Sequence, residues 1–378
     1  MLEMIHKNEK KVEYLELIYD LIFVFMIGKN NSLLHHTQDG QVQEGMLLTY
    51  IFCTLAIIQI WNFSTYYINM FGKNGLREHI FLFSNMFALY FMAEGTGVEW
   101  QAYHTQYHIS WALILINIAF QYFFELKDKN TPDIQKPMIK NILLILVVEA
   151  ALAAATIPIY RITGVDLSFL PVFMGIIVTL ISPKVSLPGS VNFEHLTERA
   201  MLYIVFTFGE MVIAVGGYFN GELSARRIYF CVMAFLIVVG LFLSYGTVYD
   251  HIIDREREDN GLVFMLIHVF IIFGLNTLTT SLEFMQSEEI AALPKMISLI
   301  ASFLMFYSFL MTVILKYSKT GCRPPRGFYI RLALTGASFT ALMLIFREQM
   351  LINIALSVIY VFIIYSIIYK IGKLNKTA

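Results

Sequence analysis

Twelve apolar runs of roughly 20 residues follow one another with only short links between them, and this leaves few folds open. A run of that length crosses the hydrocarbon core as a helix. There every backbone N–H and C=O has to be satisfied within the segment itself. The runs cover approximately 14–36, 46–71, 79–98, 104–126, 138–160, 166–183, 195–220, 226–249, 261–282, 292–316, 327–346 and 350–371. The sixth is short and contains Pro171 and Gly175. The pattern predicts an all-α polytopic membrane protein of about twelve transmembrane helices, with no soluble domain appended. Charged residues make up 15% of the chain, where a soluble domain carries about a quarter. The lipid bilayer is therefore its first partner. A net charge of −1 leaves no footprint for nucleic acid. Cys53, Cys231 and Cys322 lie far apart, which argues against a disulfide framework and offers no metal-ligand spacing. Neither a metal nor another cofactor is expected. No apolar core with a small-residue cleavage site opens the sequence, so the first helix is expected to direct insertion.

Lysine and arginine set the orientation. One side receives Lys7, Lys10, Lys11, Lys73, Arg77, Lys127, Lys129, Lys136, Lys140, Lys184, Arg255, Arg257, the cluster from Lys316 to Arg331, and the tail lysines Lys370, Lys373 and Lys376. The other side has Arg161, Arg226, Arg227, Lys295 and Arg347. This bias places both termini in the cytoplasm and requires an even number of spans. A shift of about 181 residues lays the first run on the seventh, with Gly28 on Gly209 and Lys29 beside Glu210. Residues 1–185 and 186–378 then read as two six-helix halves of one membrane domain. Six spans per repeat would make the halves parallel. The competing reading is chance likeness between helix-rich segments.

Polar residues inside apolar runs carry the functional reading, because each is costly there and persists when it faces the bundle interior or a partner. The seventh run holds His195, Glu198, Arg199 and Glu210. Glu210 lies three turns beyond Arg199, on roughly the same face, and Gly209 beside it is expected to let another helix approach closely. Glu16 and Asp20 are four apart, so both carboxylates share a face of the first helix. They fit a cation or proton site at an entrance, or a solvated first turn where acids favour the helix start. Lys29, Glu94 and Glu210 each lie about fifteen residues into outward-running spans. Equal depth predicts one buried polar cluster in the outer half. Glu149 lies near mid-membrane among small residues. His268 fits a satisfied core histidine or a proton relay. Asp250 borders the membrane in an acidic and basic connector that otherwise reads as solvated and self-paired. The aromatic faces of the second, fourth and twelfth runs are read as lipid-facing or interfacial. No phosphate-binding loop, HExxH, GxSxG or dinucleotide turn is present, which weighs against an enzyme.

Three stretches resemble landmarks of one family. LELIYDLIFVFMIG (15–28), HLTERAMLYIVFTFGEMVIAVGG (195–217) and YDHIIDREREDNGLVFMLIHVFIIFGLNTL (249–278) are similar, in order, to segments of the bacterial low temperature requirement A proteins. The resemblance carries Glu16, Asp20, His195, Glu198, Arg199, Gly209, Glu210, Asp250 and His268 onto family positions. Lys29 and the asparagines after it depart from the family's small, neutral residues. The resemblance implies an integral membrane protein connected by name with growth in the cold, and no particular substrate. Three functions fit the residues. One is a secondary carrier of a small solute or ion, with Glu210, Glu94 and Lys29 at its centre. In it Glu16, Asp20, His195, Glu198, Arg199 and Asp250 form a cytoplasmic-rim network, Gly28 and Gly209 allow close packing, and Glu149 and His268 are further ion-site candidates. The second is an intramembrane enzyme acting on lipid or isoprenoid phosphate, with His195, Glu198 and Arg199 at the headgroup and His195 as acid or base. The third is a structural or sensory protein without turnover.

Overall fold

The computed structural model describes residues 10–96, 100–181, 191–217 and 224–374. Lys7, Lys184, Lys376 and the proposed boundary between the halves lie outside the described residues. The helices are α1 (Tyr14–Asn31), α2 (Glu44–Phe71), α3 (Leu76–Glu94), α4 (Trp100–Lys127), α5 (Lys136–Thr163), α6 (Phe169–Ile181), α7 (Phe193–Gly216), α8 (Ala225–Thr247), α9 (Leu262–Phe284), α10 (Ala292–Tyr317), α11 (Arg326–Ile345) and α12 (Met350–Leu374). The fold is all-α and polytopic, and ten of these helices are long and apolar enough to cross a membrane. The other two are α3 and α6. Arg77, Glu78 and Glu94 make α3 more polar, and α6 has 13 residues.

The helix ends follow from local chemistry. The Asn192 side chain accepts from the His195 N–H to start α7, and Ser224 does the same for Arg227 at α8, which satisfies amides the helix itself leaves open. Gly164, with φ of 71°, closes α5 in the left-handed conformation that a side chain would resist.

The bundle is built around α2, which touches α1, α4, α6, α7 and α9. This central place overturns the expectation that the aromatics of the second run face lipid. Tyr50, Trp61 and Tyr67 are buried in the core, as are Tyr107, Trp111 and Tyr122 of α4 and Tyr360 of α12. Only part of the predicted aromatic surface exists, for example Phe120, Phe123 and Tyr369. Helix neighbours recur six helices on. In the first half α1 packs on α2 and α3, α3 on α4, α4 on α5, α5 on α6, and α2 on α6. In the second, α7 packs on α8 and α9, α9 on α10, α10 on α11, α11 on α12, and α8 on α12. The seam between them is formed by α1 and α2 against α7 and α9.

Two clasps hold the bundle ends. At one, a short antiparallel hairpin (Thr37–Gln38 with Gln41–Val42) takes a 2.7 Å hydrogen bond from the Ala291 N–H to Gly40 O. At the other, a π turn over Val248–Ile252 leads into the connector, where Asp254 N–H donates to Tyr317 O at 2.8 Å. Arg257 pairs with Asp259 at 3.2 Å and donates to Lys316 O at 2.8 Å. The connector is thus tied to α10 as well as to itself.

Candidate functional site

The starts of α1 and α7 and the end of α2 meet at one end of the bundle. Glu16 and Asp20, one turn apart, face α7 and close on Arg199. One guanidinium nitrogen bonds Glu16 Oε2 and the other donates to Asp20 Oδ1 at 2.6 Å. Arg199 and Asp20 are fully buried and Glu16 nearly so. The Trp61 indole N–H donates to the same Asp20 oxygen at 2.9 Å, and its ring stacks on Tyr203 with centroids 4.5 Å apart. His195, one turn before Arg199, places Nε2 3.4 Å from Glu16 Oε2. Its Nδ1 lies 3.0 Å from Asn69 Nδ2 of α2. The Asn69 amide is oriented by its other bonds. Its oxygen accepts from Asn192 N–H at 2.9 Å, and its nitrogen donates to Asn192 O at 2.9 Å. The nitrogen facing His195 is therefore a donor, Nδ1 is an acceptor, and the imidazole proton belongs on Nε2, toward Glu16.

Lys10 completes this group from outside α1. Its ammonium caps the end of α2, bonding the carbonyls of Ile68, Asn69 (3.2 Å) and Gly72 (3.2 Å). Burial lowers its pKa below the usual lysine value, with the nearby carboxylates of Glu16 and Glu78 opposing. Two cations, Lys10 and Arg199, thus offset two carboxylates, Glu16 and Asp20. Such balance is what makes buried charge tolerable, since an unpaired buried ion costs several kcal/mol.

Two residues assigned to this rim network stand apart from it. Glu198 follows the helix about 100° round from Arg199, is half-buried, and lies within electrostatic reach of Tyr249. Asp250 is exposed on the π turn, near Arg255 and Tyr249. Among the described residues no hydrogen bond or ion pair joins either to His195 or Arg199.

Farther along the same seam, Glu210 of α7 lies over Gly28 of α1. A Cβ added to Gly28 would fall 2.6 Å from Glu210 Oε1. Gly209 has no such role, because a Cβ there meets nothing within 4 Å and the residue is exposed. Close packing therefore rests on Gly28 and not on Gly209. Lys29 pairs with Glu94 of α3 at 3.0 Å. The expected single buried cluster is not formed. Both side chains of the pair are about two-fifths exposed, at 39% and 42%, because α3 lies at the edge of the bundle, while Glu210 turns to the α1–α7 contact.

Glu149 and His268 are each fully buried elsewhere. Gln59 Nε2 of α2 donates to Glu149 Oε2 at 3.1 Å, and Gly175 of α6 lies against both, where any side chain would collide with them. His268 donates from Nδ1 to Phe264 O at 2.8 Å, and its Nε2 lies 3.0 Å from the Tyr245 hydroxyl of α8. Both ring nitrogens are satisfied, which suits a helix-to-helix tie.

A family model described as bacterial low temperature requirement A protein matches residues 11–365. The chain belongs to the bacterial low temperature requirement A family. Comparison with curated proteins gives no match. In this low temperature requirement A protein, the matched region takes in the Glu16, Asp20, His195 and Arg199 network as well as Glu149 and His268.

The sequence reading missed Trp61, Asn69, Lys10 and Gln59 as members of polar clusters. Trp61 and Asn69 are eight residues apart, two turns along one face of α2. Neutral polar groups at that spacing in an apolar span were the available signal. It also missed a cluster at the far end of α4. There Trp100 Nε1 donates to Asp166 Oδ2 at 2.8 Å, and His104 Nε2 lies 3.5 Å from Oδ1 of the same residue. His104 is stacked between His108 (4.1 Å) and Tyr160 (4.2 Å). His104 and His108 are four apart, as two groups on one helix face must be.

Proposed function

We propose that this multi-pass low temperature requirement A protein is a secondary carrier of a small solute or ion. In this reading it sits in the bacterial cytoplasmic membrane with both termini cytoplasmic. Residues 1–185 and 186–378 are parallel halves that move against each other. The recurrence of helix neighbours six helices on supports the two halves. The observation that carries the reading is the joint between them: Arg199 of α7 held by Glu16 and Asp20 of α1 with full burial. This joint acts as a closed cytoplasmic gate. Glu210, over Gly28 on the same seam, is the coupling-ion site, with the Lys29–Glu94 pair beside its helix. The coupling ion has to bind the two access states unequally, since only that difference shifts their balance.

The phosphate-handling alternative has less support. Arg199 and His195 are fully buried and face Glu16, Asp20 and Asn69, so a headgroup could reach them only by displacing those partners. The test is proton uptake by proteoliposomes holding the full chain, scanned over ions and metabolites, beside Glu210→Gln. A solute-dependent proton signal that Glu210→Gln abolishes is the expected result. Transport that survives Glu210→Gln removes that site. Silence over a broad panel from folded protein removes the carrier.

A further inference from the structure

A cavity of about 320 Å³ lies where α2, α4, α5 and α6 face α9. That is at the lower end of the size of small-molecule sites, about 300–1,000 Å³. Its walls are apolar, with Phe173, Ile176, Met265 and Phe270 among them. Two polar side chains of α2, Gln59 and Asn62, interrupt this lining. Both present an oxygen, Gln59 Oε1 and Asn62 Oδ1, that is buried and has no hydrogen-bond partner. Gln59 itself is 8% exposed. Its amide nitrogen is already used, donating to Glu149 Oε2, and Glu149 Oε1 is a third buried oxygen without a partner.

The buried polar atoms left without a partner at this spot, Gln59 Oε1, Asn62 Oδ1 and Glu149 Oε1, are all acceptors. Glu149 also has no cation paired with it among the described residues, and the Gln59 amide is the one donor it is given. A buried carboxylate wants a counter-charge, and unpaired buried acceptors want a donor. Among the described residues no cation pairs with Glu149 and no donor reaches these three oxygens. Phe173 and Phe270 are at once cavity lining and partly exposed at the bundle surface, which gives a route from the bilayer.

We propose that this cavity binds an amphipathic cation: an apolar body filling the Phe173 and Phe270 side and an ammonium head donating to Gln59 and Asn62, with Glu149 behind them as counter-charge. The site lies on the α2–α9 side of the seam, shares no lining residue with the Glu16–Asp20–Arg199 joint or with Glu210, and calls for binding only, so it does not depend on transport.

The experiment uses the full chain in phospholipid nanodiscs, with empty discs as the blank, and equilibrium binding of 2-(1-naphthyl)ethylammonium. The neutral 2-(1-naphthyl)ethanol and anionic 1-naphthylacetate are the comparisons. Saturable binding of the ammonium, at least tenfold tighter than the alcohol, is expected. That preference should collapse in Glu149→Gln, which keeps shape and removes charge. Leu266→Trp, which fills the cavity from α9, should remove binding of ammonium and alcohol alike. If Glu149→Gln does not yield monodisperse protein, Gln59→Leu makes the same comparison. Equal binding of all three probes, or a preference that survives Glu149→Gln and Gln59→Leu, would show an apolar cleft filled by lipid chains and overturn the proposal. Absence of saturable ammonium binding overturns it too.

Discussion

Removing the Arg199 guanidinium should unbalance the protein in a way that can be reversed by further mutation. Arg199→Met keeps most of the volume and apolar stem but leaves Glu16 and Asp20 facing each other in a buried site. Asp20 Oδ2 already lacks a hydrogen-bond partner. Loss of one partner from a buried ion pair costs about 3–5 kcal/mol. With an unfolding entropy of about 2.1 cal/mol/K per residue, 378 residues give ~0.8 kcal/mol/K, so the melting temperature should fall by roughly 4–6 °C. The three cysteines, all free and buried, make a thiol-reactive dye a direct reporter of unfolding in detergent. The second arm is the triple variant Glu16→Gln, Asp20→Asn, Arg199→Met, in which neither carboxylate is stranded and Lys10 keeps the α2 carbonyls that hold its ammonium. It should regain most of the loss, because replacing a whole buried ion cluster is often close to neutral. A single variant that melts within about 1 °C of wild type, or a triple variant no better than the single, would refute the account of a mutually neutralising cluster.

Glycines separate real from apparent close packing. Gly274→Ala puts a Cβ 3.0 Å from the backbone nitrogen of Phe306 on α10, which cannot move aside, and should cost about 1–3 kcal/mol. Gly209→Ala, with nothing within 4 Å, should be neutral or stabilise by up to about 1 kcal/mol through helix propensity, and the same dye assay ranks the two. Tyr245→Phe strips the hydroxyl from buried His268 Nε2 and should cost about 1–3 kcal/mol, with a double-mutant cycle against His268→Phe showing coupling between the two sites. Asp166, in the α5–α6 link, is pushed up by burial, but hydrogen bonds from His104, Ser168 and Trp100 more than reverse this and hold its pKa well below the usual 3.8. A depressed carboxylate stabilises fully above that unfolded value and loses the contribution as pH falls through the folded one. Melting curves by intrinsic fluorescence should therefore show a constant gap between wild type and Asp166→Asn at neutral pH that narrows only below about pH 4.

How much of this could be read from the sequence depended on which physical signal a residue gives. A span announces itself through twenty apolar residues whatever its neighbours do, so the helices and their order were legible. The charged residues Glu16, Asp20 and Arg199 were legible too, since a charge in an apolar run demands a partner. Which partner was a different matter. Lys29, Glu94 and Glu210 have equal depth along their helices, but depth says nothing of azimuth or of which helices are neighbours, and α3 proved peripheral. Gly209 looked like a packing glycine because Glu210 follows it, yet the contact is made by Gly28 on the facing helix. Trp61, Gln59 and Asn69 carry no formal charge, so nothing in the sequence demands a counter-ion for them as it does for Arg199. Their role appears only once α2 is known to run through the middle of the bundle.

The rim network contains one more argument, about where the His195 proton sits. His195 sits among Lys10, Arg199, Glu16 and Asp20. Asn69 sets the tautomer of that ring: the Asn69 nitrogen donates to Asn192 O at 2.9 Å and faces His195 Nδ1 at 3.0 Å, while the Asn69 oxygen accepts from Asn192 N–H. A proton on Nδ1 in place of Nε2 would meet an N–H, and the Asn69 amide would have to release Asn192, the residue that caps α7. Asn69→Asp tests the orientation on which this depends. It replaces the donor by a carboxylate oxygen that faces two acceptors, Asn192 O and His195 Nδ1, with no change in size. The expected cost is about 1–3 kcal/mol for the stranded buried acceptors, seen as a lower melting temperature in the dye assay, with Asn69→Leu no worse. An Asn69→Asp protein as stable as wild type would mean that the amide oxygen, not the nitrogen, faces His195, and the proton would then belong on Nδ1.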